Sequence, residues 1–283
     1  METVYNIEVE EDHTYTVNNF ICYNCTYWSI AQSSDKRETV ASGLGWELFS
    51  QYVNALHKAK PKYFLYENNK SMSSDIRKSI YDTFGFEPIL INSSLVSAQN
   101  RSRLYWVGIR QNDGTYKKAD IAQPQNLNIT LKDILESGVL LNPLKSDENK
   151  SHTLVASYYK AGTEPSAYCS DQASPRVVDA ISSQKIGMCP NNAKRTENTQ
   201  SKNKVYTVKN REMTVKDVRY PIKLADGQYT IRKLTIRECA RLQTVPEWVE
   251  FPVSNTQAYK QIGNGWTVEV IKHLIQGAIK NVS

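Results

Sequence analysis

Tyr63-Phe64-Leu65-Tyr66-Glu67-Asn68-Asn69 joins four apolar or aromatic residues directly to a carboxylate and two carboxamides. A short unbroken apolar run is the pattern of a strand buried on both faces, as in α/β sheets. Its polar end then falls at the strand's carboxyl end, where open α/β sheets hold their ligands. Glu67 is therefore the first candidate for chemistry. Upstream, Trp46, Phe49, Val53 and Leu56 fall at helical spacing and stop before Pro61. Downstream, Ser73 or Ser74 can cap a helix carrying Ile76, Ile80 and Phe84 and closed by Gly85. Pro88-Ile89-Leu90-Ile91 and Leu104-Tyr105-Trp106-Val107 read as two further strands. Strand, helix and strand in this rhythm predict an α/β fold with a doubly wound sheet.

The whole chain has 283 residues, 40% hydrophobic and 23% charged, with 35 Lys+Arg against 29 Asp+Glu. That composition suits a soluble globular protein of one large or two medium domains. No apolar run approaches the ~18 residues of a membrane span, and the acidic start after Met1 lacks the form of a signal peptide. Five cysteines form no disulfide framework, which points to a reducing compartment, the cytoplasm. Cys22 and Cys25 make a lone CxxC. A structural zinc site needs four ligands, and Cys169 and Cys189 lie far away without a pairing motif, so no metal is expected.

Charge is uneven. Residues 1–12 hold five acids and no base, whereas residues 185–233 hold twelve Lys/Arg against four acids. The latter tract suits a polyanion, because phosphate contacts supply most non-specific affinity for nucleic acid. Residues 111–228 also lose the strand–helix rhythm and read as an inserted, smaller and mostly irregular domain, with Tyr158, Tyr159, Val205, Tyr206 and Tyr220 available for a small core. Regular structure resumes with a capping box, Thr235 to Glu238, and ends in a helix from about Thr267. The first 24 residues form a separate β segment. Tyr5, Ile7 and Val9 alternate with polar residues, Tyr15 and Val17 do the same, Asn18-Asn19 is a turn signal, and Phe20 to Tyr23 begin another strand.

Five motifs then occur in order: Cys25-Thr-Tyr-Trp-Ser29, Glu67-Asn68-Asn69, Gln99-Asn-Arg101-Ser-Arg103, Leu234 to Gln243, and Gln261-Ile-Gly263-Asn264. In that order the set resembles the later motifs of cytosine-5 DNA methyltransferases, from the catalytic cysteine loop to the two C-terminal motifs. The resemblance covers residues 25–110 and 230–283. It implies the C-terminal part of a Rossmann-like methyltransferase sheet, with a target-recognition domain at 111–228 and residues 229–283 completing the catalytic domain. It also implies double-stranded DNA as substrate and S-adenosyl-L-methionine as cofactor, with Gly263 and Asn264 at the cofactor pocket. Gly265-Trp266 departs from the small polar residue and aliphatic usual there.

The residue types suit the chemistry. Carbon 5 of cytosine is a poor nucleophile, so a soft nucleophile must first add to carbon 6. A thiolate, from Cys25, is the natural choice. Glu67 would protonate or hydrogen-bond ring N3, which needs a carboxyl pKa raised by burial. Arg103 would hold the base's carbonyl oxygen, and Arg101 the phosphates of a flipped nucleotide.

The family's Gly-rich cofactor segment has no counterpart in this sequence, and Asn24 stands where a Pro usually precedes the catalytic Cys. Val4-Tyr-Asn-Ile-Glu-Val-Glu-Glu-Asp-His13, then Phe20-Ile-Cys-Tyr-Asn24 abutting Cys25, resembles the C-terminal end of an intein. That resemblance implies excision of residues 1–24: Asn24 cyclises on its own carbonyl, His13 assists proton transfer, and Cys25 accepts the upstream acyl group. Tyr23 and Asn6 replace the usual His and Asp. The expected partner is a separate chain carrying the cofactor-binding segment fused to the other part of the intein. The rival expectations are a non-splicing subunit and a DNA-binding remnant without catalysis.

Overall fold

The computed structural model describes residues 14–17, 20–24, 28, 37–137, 139–140, 150–160, 176–180, 205–215, 218–221 and 225–281, which form two compact units. The first unit spans residues 1–96, 100–128 and 264–283. Its strands are β1 (Thr14–Val17), β2 (Phe20–Asn24), β3 (Tyr63–Asn69), β4 (Ile89–Asn92), β5 (Ser102–Arg110) and β6 (Tyr116–Lys118). They make one sheet in the order β1-β2-β3-β5-β4, with β6 on β5.

The sheet corrects the expectation of a doubly wound parallel arrangement. β2 and β3 are parallel, but β5 lies antiparallel between β3 and β4. The cause is the connection. β4 passes to β5 through the short Ser93–Arg101 segment, which has no crossover helix, whereas parallel neighbours need about a dozen residues or more. The expected helices are present: α1 (Gly43–Ala59), α2 (Ser74–Phe84) and α5 (Val268–Lys280). Ser73 Oγ accepts a hydrogen bond from the Ile76 amide at 3.3 Å, and Gly85 closes α2 at φ 78°.

Period-two alternation sorts the side chains of β3 and β5 onto two cores. Phe64, Tyr66, Leu104 and Trp106 pack with Phe49, Tyr52 and Leu56 of α1 and with Ile76 and Ile80 of α2. Tyr63, Leu65, Tyr105, Val107 and Ile109 pack instead with Val270, Ile271, Leu274 and Ala278 of α5. Glu67, two residues beyond Leu65, belongs to the face that α5 covers.

The N-terminal expectation is corrected in one respect. β1 and β2 form the expected hairpin, but β2 is no separate unit. It pairs in parallel with β3 from Phe20↔Tyr63 to Asn24↔Glu67. The alternating stretch from Tyr5 to Glu10 lies outside the described residues.

The second unit spans residues 97–99 and 129–263. In place of a mostly irregular domain it contains a six-stranded sheet, in the order β11-β10-β9-β12-β8-β7. The strands are β7 (Val139–Leu140), β8 (Arg176–Ala180), β9 (Val205–Lys209), β10 (Glu212–Val215), β11 (Val218–Pro221) and β12 (Gly227–Lys233). All five pairings are antiparallel. Its helices α3 (Ile236–Leu242) and α4 (Asn255–Asn264) pack Leu242, Tyr259 and Ile262 with Leu131, Ile134, Leu154 and Tyr158. The unit's boundaries therefore differ from the expected 111–228. Residues 111–128 stay with the first unit because β6 pairs with β5 and the Asn281 carboxamide binds Asp120. Residues 229–263 join the second.

Gly108 on β5 faces Phe64 on β3, and a Cβ there would lie 2.1 Å from the Phe64 ring. A strand in the middle of a sheet cannot easily retreat from such a clash. Gly108→Ala is expected to destabilise the protein by roughly 1–3 kcal/mol. Urea denaturation measures this, and an unchanged midpoint would contradict the packing described.

Candidate active site

The carboxyl end of β3 brings together groups from β3, β5 and the turn before α5, all within the first unit. Glu67 is 2% exposed. Its Oε1 lies 3.1 Å from Arg103 Nε, and Trp266 Nε1 donates to its Oε2 at 3.1 Å. Each carboxylate oxygen thus has a partner from a different element. Antiparallel register explains the first of these, since Asn69 pairs with Arg103 and Glu67 with Tyr105. A diagonal neighbour two positions along the strand is within reach of an arginine.

Burial dominates the electrostatics. It raises the Glu67 pKa above the ordinary carboxylate value, partly opposed by Arg103, Arg101 and the Trp266 hydrogen bond. Burial, together with the Arg103 charge, pulls Arg101 below the usual arginine range. Burial, with Glu67 next, pushes the Tyr105 hydroxyl far up. The result is a dry carboxyl group that gains a proton more readily than a surface glutamate and has positive charge close by.

Arg101, read from its motif as a phosphate-binding residue, is held inside the first unit. It is 5% exposed, and Nη2 donates to the Gly265 carbonyl at 2.9 Å. Its backbone amide donates to Asn92 Oδ1, and its carbonyl accepts from the Ser93 amide. Ser93 and Thr267 share a hydroxyl hydrogen bond of 2.7 Å. In this structure Arg101 therefore ties the Gly265–Thr267 turn to the β4–β5 connection, which in turn aims Trp266 at Glu67.

Cys25 and His13 lie outside the described residues. Asn24 is described as backbone of β2, opposite Glu67. Gln99 belongs to the second unit, where its carboxamide donates to the Leu242 carbonyl and accepts from the Leu154 amide. The Gln-x-Arg-x-Arg motif therefore serves two bodies: the glutamine organises one and the arginines the other.

Gly263, expected at the cofactor, is instead a close-packing residue of the second unit. A Cβ there would meet Ala156 N and Val155 C at 2.5 Å, so close approach of backbone within the unit requires a glycine at this position. Asn264 is exposed at the end of α4. Among the described residues no group of three or more His, Cys, Asp or Glu could hold a metal ion, and no helix is long and apolar enough to cross a membrane.

Two participants went unassigned by sequence reasoning. Trp266 showed only as a departure from the family pattern, and its tie to Glu67 depends on a turn far away in sequence. Tyr105 was legible in principle, because alternation puts it on the same face as Arg101 and Arg103.

Comparison with known proteins points to one family. The model for the C-5 cytosine-specific DNA methylases matches residues 20–280. Type II methyltransferase M.Bsp6I of Bacillus sp. (strain RFL6) is 27% identical over 296 residues, covering 100% of this chain and 84% of that protein. Type II methyltransferase M1.ScrFI of Lactococcus lactis subsp. cremoris is 26% identical over 244 residues, covering 79% of this chain and 53% of the relative. Among solved structures, the Entamoeba histolytica methyltransferase EhMeth is similar in fold, with a TM-score of 0.50 at 14% identity, over 93% of this chain and 77% of that one.

Because the folded protein holds the Glu67 proton more tightly than the unfolded chain does, this group's contribution to stability is full below the unfolded glutamate pKa. It fades as pH rises through the raised folded value. Glu67→Gln removes that titration. The stability difference between variant and parent, followed by urea denaturation across pH, is expected to shift in the variant's favour as pH rises. A difference independent of pH would contradict the raised pKa.

Proposed function

The chain belongs to the family of C-5 cytosine-specific DNA methylases, and from that premise we propose that it carries the base-handling part of a sequence-specific DNA (cytosine-5)-methyltransferase. The observation that carries this reading is the parallel register Asn24↔Glu67. Parallel strands end on the same edge, so the residue immediately before Cys25 and the buried carboxyl share one edge of the sheet. A thiol nucleophile and an acid with a raised pKa are the two groups that cytosine activation requires.

In the proposed sequence the Cys25 thiolate adds to carbon 6 of a flipped cytosine. The displaced electron pair moves through the ring to N3, which takes the Glu67 proton. A neutral enamine results, with carbon 5 now nucleophilic. Arg103, 3.1 Å from Glu67, holds the carboxyl's position and supplies positive charge toward the base's carbonyl oxygen. Arg101 acts one layer behind, through the turn that carries Trp266. S-adenosyl-L-methionine is the methyl donor that the family implies. The rest of its pocket is assigned to the separate chain, which would carry the family's Gly-rich segment, with Gly263 and Asn264 contributed by this one.

That chain is the second element of the proposal. Residues 1–24 are read as the C-terminal end of an intein, and trans-splicing joins the partner's segment to Cys25. The Asn24 side-chain amide attacks its own carbonyl to form a succinimide and release the Asn24–Cys25 bond. Before that release the Cys25 thiol has taken the upstream acyl group as a thioester, which shifts to the freed Cys25 amine as a peptide bond and regenerates the thiol; the same thiol afterwards serves as nucleophile toward cytosine. Since β2 lies beside β3, excision would vacate a strand position that the ligated partner's own strand would refill.

One observation favours a second reading. Phe20–Asn24 already fills the strand place next to β3, and the family match begins at Phe20. On that reading β2 is a native methyltransferase strand and the chain is a non-splicing subunit.

Intact mass, measured after the chain is mixed with its candidate partner, separates the two. Splicing predicts loss of residues 1–24 and a new peptide bond at Cys25. Methylation of DNA by the mixture at unchanged mass would overturn splicing and favour the subunit. Absence of both would leave a DNA-binding remnant.

A further inference from the structure

Trp28 lies three residues beyond Cys25 in the sequence and is fully buried. It belongs to the core that β3 and β5 share with α1 and α2, its ring centroid 6.3 Å from that of Trp46 and 6.4 Å from that of Phe49. A buried indole N–H needs an acceptor. Trp28 finds it in Glu38, donating from Nε1 to Oε2 at 2.9 Å. The other oxygen, Oε1, accepts from the Gly45 amide at 2.9 Å. One carboxylate thus joins a residue just downstream of the cysteine to the first turn of α1.

The start of α1 is built around that carboxylate. Ser42 occupies the N-cap position, but its side chain makes no capping hydrogen bond, and the first turn holds no acid. Glu38 supplies both: an acceptor for an amide that has no partner within the helix, and a negative charge at the positive end of the helix dipole. Gly43 leaves it room, since its φ is 81° and a Cβ there would lie 2.7 Å from Glu38 Oε1. The flanking residues are tied down as well. Arg37 Nη2 donates to the Ser71 carbonyl, and the Ser73 hydroxyl donates to the Thr39 carbonyl, which fastens this stretch to the turn between β3 and α2.

The residue before Cys25 is fixed from the other side. Asn24 ends β2 opposite Glu67. Cys25, Thr26 and Tyr27 are all that separate Asn24 from Trp28. A chain reaches at most about 3.3–3.6 Å per residue, so the place where Trp28 is held bounds where the Cys25 thiol can go. We propose that Glu38 is a positioning residue for the methyl transfer: by holding Trp28 against the start of α1, it fixes the downstream end of the segment that carries the Cys25 thiol. The proposal rests on the family reading of Cys25. Trp28 and Glu38 both follow Cys25, so it applies to a spliced and to a non-splicing protein alike.

The test is adduct formation at Cys25 on DNA bearing 5-fluorocytosine, with the partner chain and methyl donor present. The parent is compared with Glu38→Ala and with Glu38→Ala/Ser42→Asp, in which the second substitution restores the helix cap but not the Trp28 contact. Both variants are expected to form the adduct roughly 10- to 100-fold more slowly at saturating DNA, the scale of loss that follows a small misplacement of a reacting group. The DNA concentration for half-maximal rate should stay unchanged, and Ser42→Asp should return the urea midpoint toward that of the parent. Recovery of the rate along with the midpoint would overturn the positioning role and leave Glu38 as a helix cap. An unchanged rate in Glu38→Ala would overturn it too, and in both cases the family reading stands. No adduct at Cys25 in the parent would overturn the role together with that reading.

Discussion

A carboxyl group taken out of water at the end of a central strand must be protonated, paired or hydrogen-bonded, and the placement of Glu67 obliges its surroundings to supply partners. Two come from opposite directions. Arg103 arrives along β5, the antiparallel neighbour of β3. Trp266 arrives from the turn before α5, which Arg101 and the Ser93–Thr267 hydroxyl pair hold in place. The inverted strand, the turn and the packing of α5 thus converge on one side chain. Burial raises the carboxyl's pKa while Arg103, Arg101 and Trp266 oppose it, a balance consistent with the proposed donation of a proton to a ring nitrogen.

Much of the first unit was legible because its elements are locally determined. α2 is bracketed by Ser73 and Gly85, both of which act as their residue types dictate. The Thr235–Glu238 box, in the second unit, opens α3 in the same local way. The polar end of the Tyr63–Asn69 run is buried where such an end was expected to do chemistry. What local pattern could not supply was pairing direction. β5 reads like any buried strand, and only the brevity of its connection to β4 distinguishes antiparallel from parallel.

The second unit was less legible for a related reason. Its strands are short, polar on one side and interrupted, so sheet formation depends on long-range pairing, as between β12 and both β8 and β9. Arg101 and Gly263 show the same limit at the level of single residues. Each matches a family motif, yet its immediate work is internal: Arg101 clamps a turn, and Gly263 permits a close approach of backbone. A motif identifies which residues belong to a site but does not separate those that touch substrate from those that hold the touching residues in place.

If Cys25 and Glu67 act on one cytosine, the covalent intermediate between Cys25 and the base can be trapped. The most direct measurement uses DNA bearing 5-fluorocytosine, with the partner chain and methyl donor present, and maps the modified peptide. The expected result is an adduct at Cys25 that forms far more slowly when Glu67 is replaced by Gln. An adduct on another residue, or one that forms at the same rate in the Glu67→Gln variant, would contradict the shared role of the two residues.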